Sequence, residues 1–123
     1  MRESIGAIYN LMGDARPFPY IEGGVCFFAS HNHKYVGLVY LKPISNREAE
    51  IIYVGVAPAC RRLGLAHQLI GDLQKQYNKL YLEVEVTNLP ACALYDRLGF
   101  RVQRTRHHYY GPGRDAFDMV WSA

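Results

Sequence analysis

No stretch of this 123-residue chain approaches the roughly 20 consecutive apolar residues that a membrane-crossing helix requires. Acidic or polar residues stand near the start, where a secretion signal would be basic and then apolar. The expectation is a soluble, unexported, cytoplasmic protein without a membrane partner. Cysteine is scarce: Cys26, Cys60 and Cys92 are odd in number, widely spaced and free of any Cys-x-x-Cys pairing, which argues against a disulfide framework or a zinc site. Neither Cys60 nor Cys92 has a context that would activate a thiolate. No metal is expected either, because a polar hairpin turn accounts for His31 and His33 and no third ligand accompanies them. Internal repeats, low-complexity tracts and Pro/Ser-rich linkers are also missing, so the chain reads as one domain, 1–123, around one packed core.

A strong charge bias is missing too, the formal net charge being +3. The C-terminal third nevertheless collects Arg97, Arg101, Arg104, Arg106, His107, His108 and Arg114. That excess suits an anionic ligand. Nucleic acid is not the expected partner, since such binders usually carry a heavier basic bias or a recognisable reading motif.

What the chain does contain is a sequence of changes in hydrophobic period. Ile5, Ile8, Tyr9 and Met12 recur at helical spacing until Gly13 and Pro17-Phe-Pro19 stop the helix. Gly24 to Ser30 and Tyr35 to Leu41 are strand-like, joined by the polar His31-Asn32-His33-Lys34. A third strand spans Glu50 to Val56 and ends at Ala57-Pro58. From Arg61 to Tyr77 the period is helical, with Leu63, Ala66, Leu69, Ile70, Leu73 and Tyr77 in one stripe. Leu80 to Thr87 alternates strictly, with Tyr81, Glu83, Glu85 and Thr87 on the polar face. Asn88 can cap a further helix, Pro90 fits its first turn, and Gly99 suits its left-handed end. Phe100 to Thr105 and Ala116 to Trp121 read as two last strands around Gly111-Pro112-Gly113. The fold class is α+β, layered, with helices flanking a mixed central sheet.

The segment from Val54 to Ala66 is a strand running through a short loop into a helix. Its loop amides and the helix N-terminus form an anion site, Gly64 and Ala66 let a pyrophosphate approach the main chain, and Arg61 and Arg62 add charge. A plain strand-to-helix connection with solvated arginines is the alternative.

The spacing Arg61-x-x-Gly64-x-Ala66 resembles the acyl-CoA signature of GNAT acetyltransferases, Gln/Arg-x-x-Gly-x-Gly/Ala. Leu82-Glu-Val-Glu-Val-Thr-Asn88, Ala91, Leu94-Tyr95 and Leu98-Gly-Phe100 are similar to a second block of that superfamily. Arg106-His-His-Tyr109-Tyr110, Asp115-Ala116 and Met119 are similar to the tail of the RimI-type enzymes that acetylate protein N-termini. The resemblance implies the GNAT fold, in which two neighbouring strands splay apart to admit acetyl-CoA. It also implies site residues: Val54, Gly55 and Val56 along the pantetheine arm, Arg61, Arg62, Leu63, Gly64, Leu65, Ala66 and His67 around the pyrophosphate, and Asn88 against the cofactor. Tyr95 would sit near the thioester sulfur as acid, and Glu83 would be the base.

An ammonium acceptor must lose a proton before it attacks, so a carboxylate on the polar face of that strand is chemically useful. Glu83 and Glu85 could instead be salt-bridged strand carboxylates, and Tyr95 a core tyrosine. Tyr53, Glu85, Tyr109 and Tyr110 are candidates for the acceptor side, with sheet packing the alternative for the tyrosines. Glu85 stands where RimI-type relatives often have a basic or neutral residue. The expectation is that the family's usual first strand and helix are missing here, and the edge this would leave makes a homodimer a further expectation. The implied function is acetyl transfer from acetyl-CoA to a primary amine, a protein or peptide N-terminus. The alternatives are a small amine such as a polyamine or aminoglycoside, or a CoA-binding regulatory module with little turnover.

Overall fold

The computed structural model describes residues 2–13, 18–61 and 63–123. Helix α1 (Arg2–Leu11) precedes three consecutive strands, β1 (Val25–His31), β2 (Lys34–Ser45) and β3 (Glu48–Val56). A 3₁₀ turn at Pro58–Cys60 leads into α2 (Leu65–Gln76), and then follow β4 (Lys79–Glu85), α3 (Leu89–Arg97), β5 (Arg101–Arg106) and β6 (Ala116–Ser122). The strands form one six-stranded sheet in the order β1-β2-β3-β4-β6-β5. All junctions are antiparallel except β3 to β4, which is parallel. The mixed sheet with flanking helices therefore forms as expected, and no helix among the described residues is long and apolar enough to cross a membrane.

Alternation along β4 decides which face is covered. Leu80, Leu82 and Val84 turn toward Leu69, Ile70 and Leu73 of α2 and toward Leu98 and Phe100 beyond α3, forming the main core. Each such side chain contributes about 1.5–3 kcal/mol when fully buried. The Gln74 amide donates to Leu98 O at 2.8 Å and links the two helices. On the other face α1 covers the β2–β3 half through rings: Tyr9 packs edge-on against Tyr53 and Phe18, and Phe18 against Tyr40.

A register shift and a turn contact shape the course of β3. Tyr40 pairs with Tyr53 but Leu41 with Ile51, which leaves Ile52 as an extra residue in β3. Such a bulge bends and twists a strand. Here it lets Ile51 and Val54, three apart, both contribute to the α2 face. At the opposite end of β3, Arg47 O accepts from Asn78 N at 2.7 Å and Lys79 N at 3.2 Å, and its guanidinium donates to Asn78 Oδ1 at 3.1 Å. The start of β4 is thereby tied to the β2–β3 turn.

Several boundaries depart from expectation for physical reasons. Helix α2 begins at Leu65, not Arg61, because Gly64 adopts φ 75° in the left-handed region. Leu63, assigned to the apolar stripe, is 66 % exposed. Strand β2 runs on past Leu41 to Ser45 through Pro43, because β1 pairs only as far as Leu41 and the missing N–H of proline costs nothing where no neighbour needs it. The hairpin turn is where expected, with Asn32 and His33 at φ 51° and 63°, the signs that a two-residue hairpin turn requires.

The Tyr40 hydroxyl accepts from Ile21 N and donates to Ile21 O, both at 2.8 Å. Tyr40→Phe leaves the part-buried Ile21 N–H without its partner, while Ile21 O keeps Gly24 N at 3.0 Å, and should cost about 1–3 kcal/mol. Urea unfolding checks this, and an unchanged midpoint would show that water replaces the hydroxyl without loss.

Candidate active site

Strands β3 and β4 are paired only from Glu48 to Ile51 and from Lys79 to Leu82. Beyond that point β3 follows β2 and β4 follows β6, so a gap opens between them. A cleft of about 460 Å³ lies there, lined by Tyr53, Val54, Gly55 and Val56 of β3 and by Met12, Gly13, Arg61, Ala66, Ala91, Leu94 and Tyr95. Its walls come from both sides of the sheet: Met12 and Gly13 follow α1, whereas Ala66, Leu94 and Tyr95 belong to α2 and α3. Unpartnered backbone beside an apolar slot suits a ligand that is itself amide-bearing and slender.

A second cavity, about 480 Å³, adjoins it through Val56, Arg61, Ala66 and Leu94 and adds Cys60, Gly64, Leu65, His67, Pro90 and Arg97. Helix α2 opens into this space with no side-chain cap and no acidic residue in its first turn, so its leading amides and the positive end of its dipole are available to an anion. A Cβ built on Gly64 meets nothing within 4 Å. The donor set, the dipole and this open approach fit a diphosphate. Arg62 lies outside the described residues. Arg61 is not a free charge: its Nε donates to Val56 O and its Nη2 to Met12 O, both at 3.1 Å. Asn88 caps α3, its Oδ1 accepting from Ala91 N at 3.3 Å.

Tyr95 lines the cleft beside Leu94 and packs on Phe100 at 5.7 Å between ring centroids. Burial, with the neighbouring Cys92 and Tyr110 as lesser causes, pushes its phenol up to about 12. The proton stays on oxygen across the physiological range, as a proton donor needs.

The face of the β4–β6–β5 half opposite α2 and α3 carries a third cavity of about 440 Å³. Glu50, Tyr81, Glu83, Arg104, Arg106 and Asp118 line it, with Ile44 and Gln103 at its margin. Glu83 lies 3.9 Å from Arg106 Nη2, and the nearby Glu83 carboxylate, with burial as a lesser cause, raises the pKa of the Tyr109 phenol. Tyr110 is raised as well, by burial first and then by the charges of Glu83, Tyr109 and Glu85. Glu85, a candidate for the acceptor side, is held bidentately by Arg114, Nε to Oε2 at 2.9 Å and Nη2 to Oε1 at 2.7 Å. That hydrogen bonding lowers its pKa and fastens the 107–115 loop to β4.

Sequence reasoning passed over Glu50, Arg106, Asp118 and Arg114 as site residues. Burial, with Glu83 next, raises the Glu50 carboxyl, so this half-buried acid in an apolar strand was the available signal. His31 ends β1 and His33 is a turn residue. Among the described residues no three His, Cys, Asp or Glu side chains converge as a metal site needs.

The family model described as "Acetyltransferase (GNAT) family" matches residues 7–100. An N-alpha-acetyltransferase MAK3 of Arabidopsis thaliana is 34 % identical over 112 residues, covering 85 % of this chain and 59 % of that protein. An N-alpha-acetyltransferase of Sulfurisphaera tokodaii is 36 % identical over 84 residues, covering 63 % of this chain and 50 % of its own. The chain thus spans about half to three fifths of the length of these curated relatives. Among solved structures, the ribosomal-protein-S18-alanine N-acetyltransferase from Escherichia coli superposes with a TM-score of 0.80 at 26 % identity, covering 99 % of this chain and 89 % of that one.

Three carboxyls around the loop have lowered pKa values: Glu85 through Arg114, Asp115 through His108 N and His107, and Asp118 because hydrogen bonds from Arg104 and Arg106 outweigh its burial. Depressed acids stabilise the fold above their unfolded values and lose that contribution as pH falls through the folded ones. Below pH of about 4 the 107–115 loop should therefore loosen before the core. Amide protection factors measured between neutral and acid pH check this, and protection of His108 N, which donates to Asp115 Oδ1 at 2.9 Å, should fail first. Loss of loop and core protection at the same pH would show that the pairs do not hold the loop.

Proposed function

The chain belongs to the acetyltransferase (GNAT) family, and from that premise we propose that it moves an acetyl group from acetyl-CoA to a primary amine, the α-amino group of a protein or peptide. The observation that carries the reading is the open helix N-terminus at Gly64, which faces a cavity sharing Val56, Arg61, Ala66 and Leu94 with the cleft between β3 and β4; a separate, carboxylate-lined cavity holds Glu83. The N-alpha-acetyltransferase names of the relatives favour the peptide acceptor. A small polyamine is the second reading, favoured by the carboxylates Glu50, Glu83 and Asp118 in one cavity.

In this reading the amides of Gly64 to His67 hold the pyrophosphate, and Val54 to Val56 guide the pantetheine arm by main chain. Acetyl-CoA, when bound, supplies the thioester that the amine attacks. Glu83, with Arg106 Nη2 3.9 Å away, takes a proton from the arriving ammonium at its carboxylate oxygen. Tyr95, kept protonated by burial, gives a proton from its hydroxyl to the departing sulfur. Arg61 shapes the cradle by its two carbonyl contacts. Glu50 is the rival base, because its raised pKa suits a proton acceptor.

Incubation with acetyl-CoA and a panel of peptides, polyamines and aminoglycosides, followed by release of free CoA, tests the activity and chooses the acceptor. No release with any amine, from protein that binds CoA, would support the regulatory-module alternative.

Two substitutions test the site. Gly64→Val should weaken CoA binding severely by calorimetry, since the branched side chain enters the open approach. The positive φ strains it there too, so a thermal melt must accompany the measurement. Unchanged affinity in a folded variant would move the cradle elsewhere. Glu83→Gln should lower kcat by about 10²–10⁴-fold with little change in CoA affinity, whereas Glu85→Gln should cost far less. Raising the pH should partly restore the Glu83 variant, because more of the amine is then neutral. Full activity of Glu83→Gln beside an inactive Glu50→Gln would transfer the role to Glu50.

A further inference from the structure

Glu83 and Asp118 lie directly opposite each other in the β4–β6 register. Like charges placed so are destabilising in an antiparallel pair, and a neutral residue would serve the sheet better. The cost is offset by one side chain. Arg106 donates from Nε to Asp118 Oδ2 at 2.8 Å while its Nη2 lies 3.9 Å from Glu83 Oε1. The same guanidinium stacks 5.0 Å from the centroid of Tyr109. Arg106 thus touches both acids and the ring.

Asp118 is built to hold it. Its side chain is only 15 % exposed, its Oδ2 also accepts from Arg104 Nε at 2.6 Å, and its Oδ1 is buried without a hydrogen-bond partner among the described residues. One carboxylate oxygen therefore carries both arginines. A planar guanidinium can serve several partners from a fixed orientation, which an ammonium cannot.

We propose that Arg106, clamped by Asp118, is a positioning residue that fixes the Glu83 carboxylate and the Tyr109 ring toward the acceptor amine. The proposal rests on Glu83 being the proton acceptor. Arg104 shares the clamp but, among the described residues, pairs with Asp118 and not with Glu83, so it provides the internal comparison.

Arg106→Met and Asp118→Asn should each lower kcat by about 10- to 100-fold, the scale that a misplacement near 1 Å can produce, and should leave KM for acetyl-CoA unchanged. In a Glu83→Gln background the same substitutions should cost less than about threefold, since coupled residues are non-additive. Arg106→Lys should recover only part of the loss, and Arg104→Gln should cost less than Arg106→Met. Independently of turnover, the ¹³C resonances of the Tyr109 ring, assigned with Tyr109→Phe, should move in Asp118→Asn as the guanidinium leaves the ring. Equal losses in the two backgrounds, or an unmoved Tyr109 resonance, would overturn the positioning role and leave the base assignment standing. Full activity of Glu83→Gln alone would overturn both.

Discussion

Parallel pairing between β3 and β4 extends over four residue pairs, and the site depends on both why it holds and why it stops. It holds at one end because Arg47 O takes the two amides that begin β4. It stops at the other because the extra residue Ile52 bends β3 along β2 while β4 keeps its partnership with β6. Backbone groups released in this way need partners. Closing the gap with more sheet would satisfy them and erase the cleft, so the bulge and the function are the same feature viewed at two scales.

Charge is arranged around that gap by face. The α2 side offers amides and a helix dipole to anionic groups, while the opposite side gathers Glu50, Glu83 and Asp118 with Arg104 and Arg106. Under the proposed function, separating these environments by the thickness of one sheet would let a polyanionic donor and a cationic acceptor approach from opposite sides without competing for the same surface.

Much of this was legible in the chain itself. The alternation of β4 placed Glu83 and Glu85 on the polar face, and Asn88 marked the start of α3. Other features were hidden for definable reasons. Ile52 lies within an apolar run, where an added residue leaves no mark on the pattern. Leu63 fits the helical period of α2, and only the left-handed Gly64 excludes it from the helix. Glu85 and Glu83 are equivalent in sequence, but Arg114, twenty-nine residues on, engages Glu85 alone. Arg106 could be counted as charge, yet its three-way contact depends on the β4–β6–β5 order, which local periodicity does not carry.

Arg61 invites a different view of a motif letter. A basic residue beside a phosphate cradle is ordinarily read as a counter-ion, but here both donor directions end on main-chain carbonyls, Val56 O and Met12 O. What such a position requires is an N–H of sufficient reach rather than a positive charge. The signature that this segment resembles accepts either glutamine or arginine there, and the two share amide-like donors while differing in charge. The tolerated alternation is then a statement about how a loop is riveted to its neighbours, and the anion is left to the backbone that the rivet holds in place.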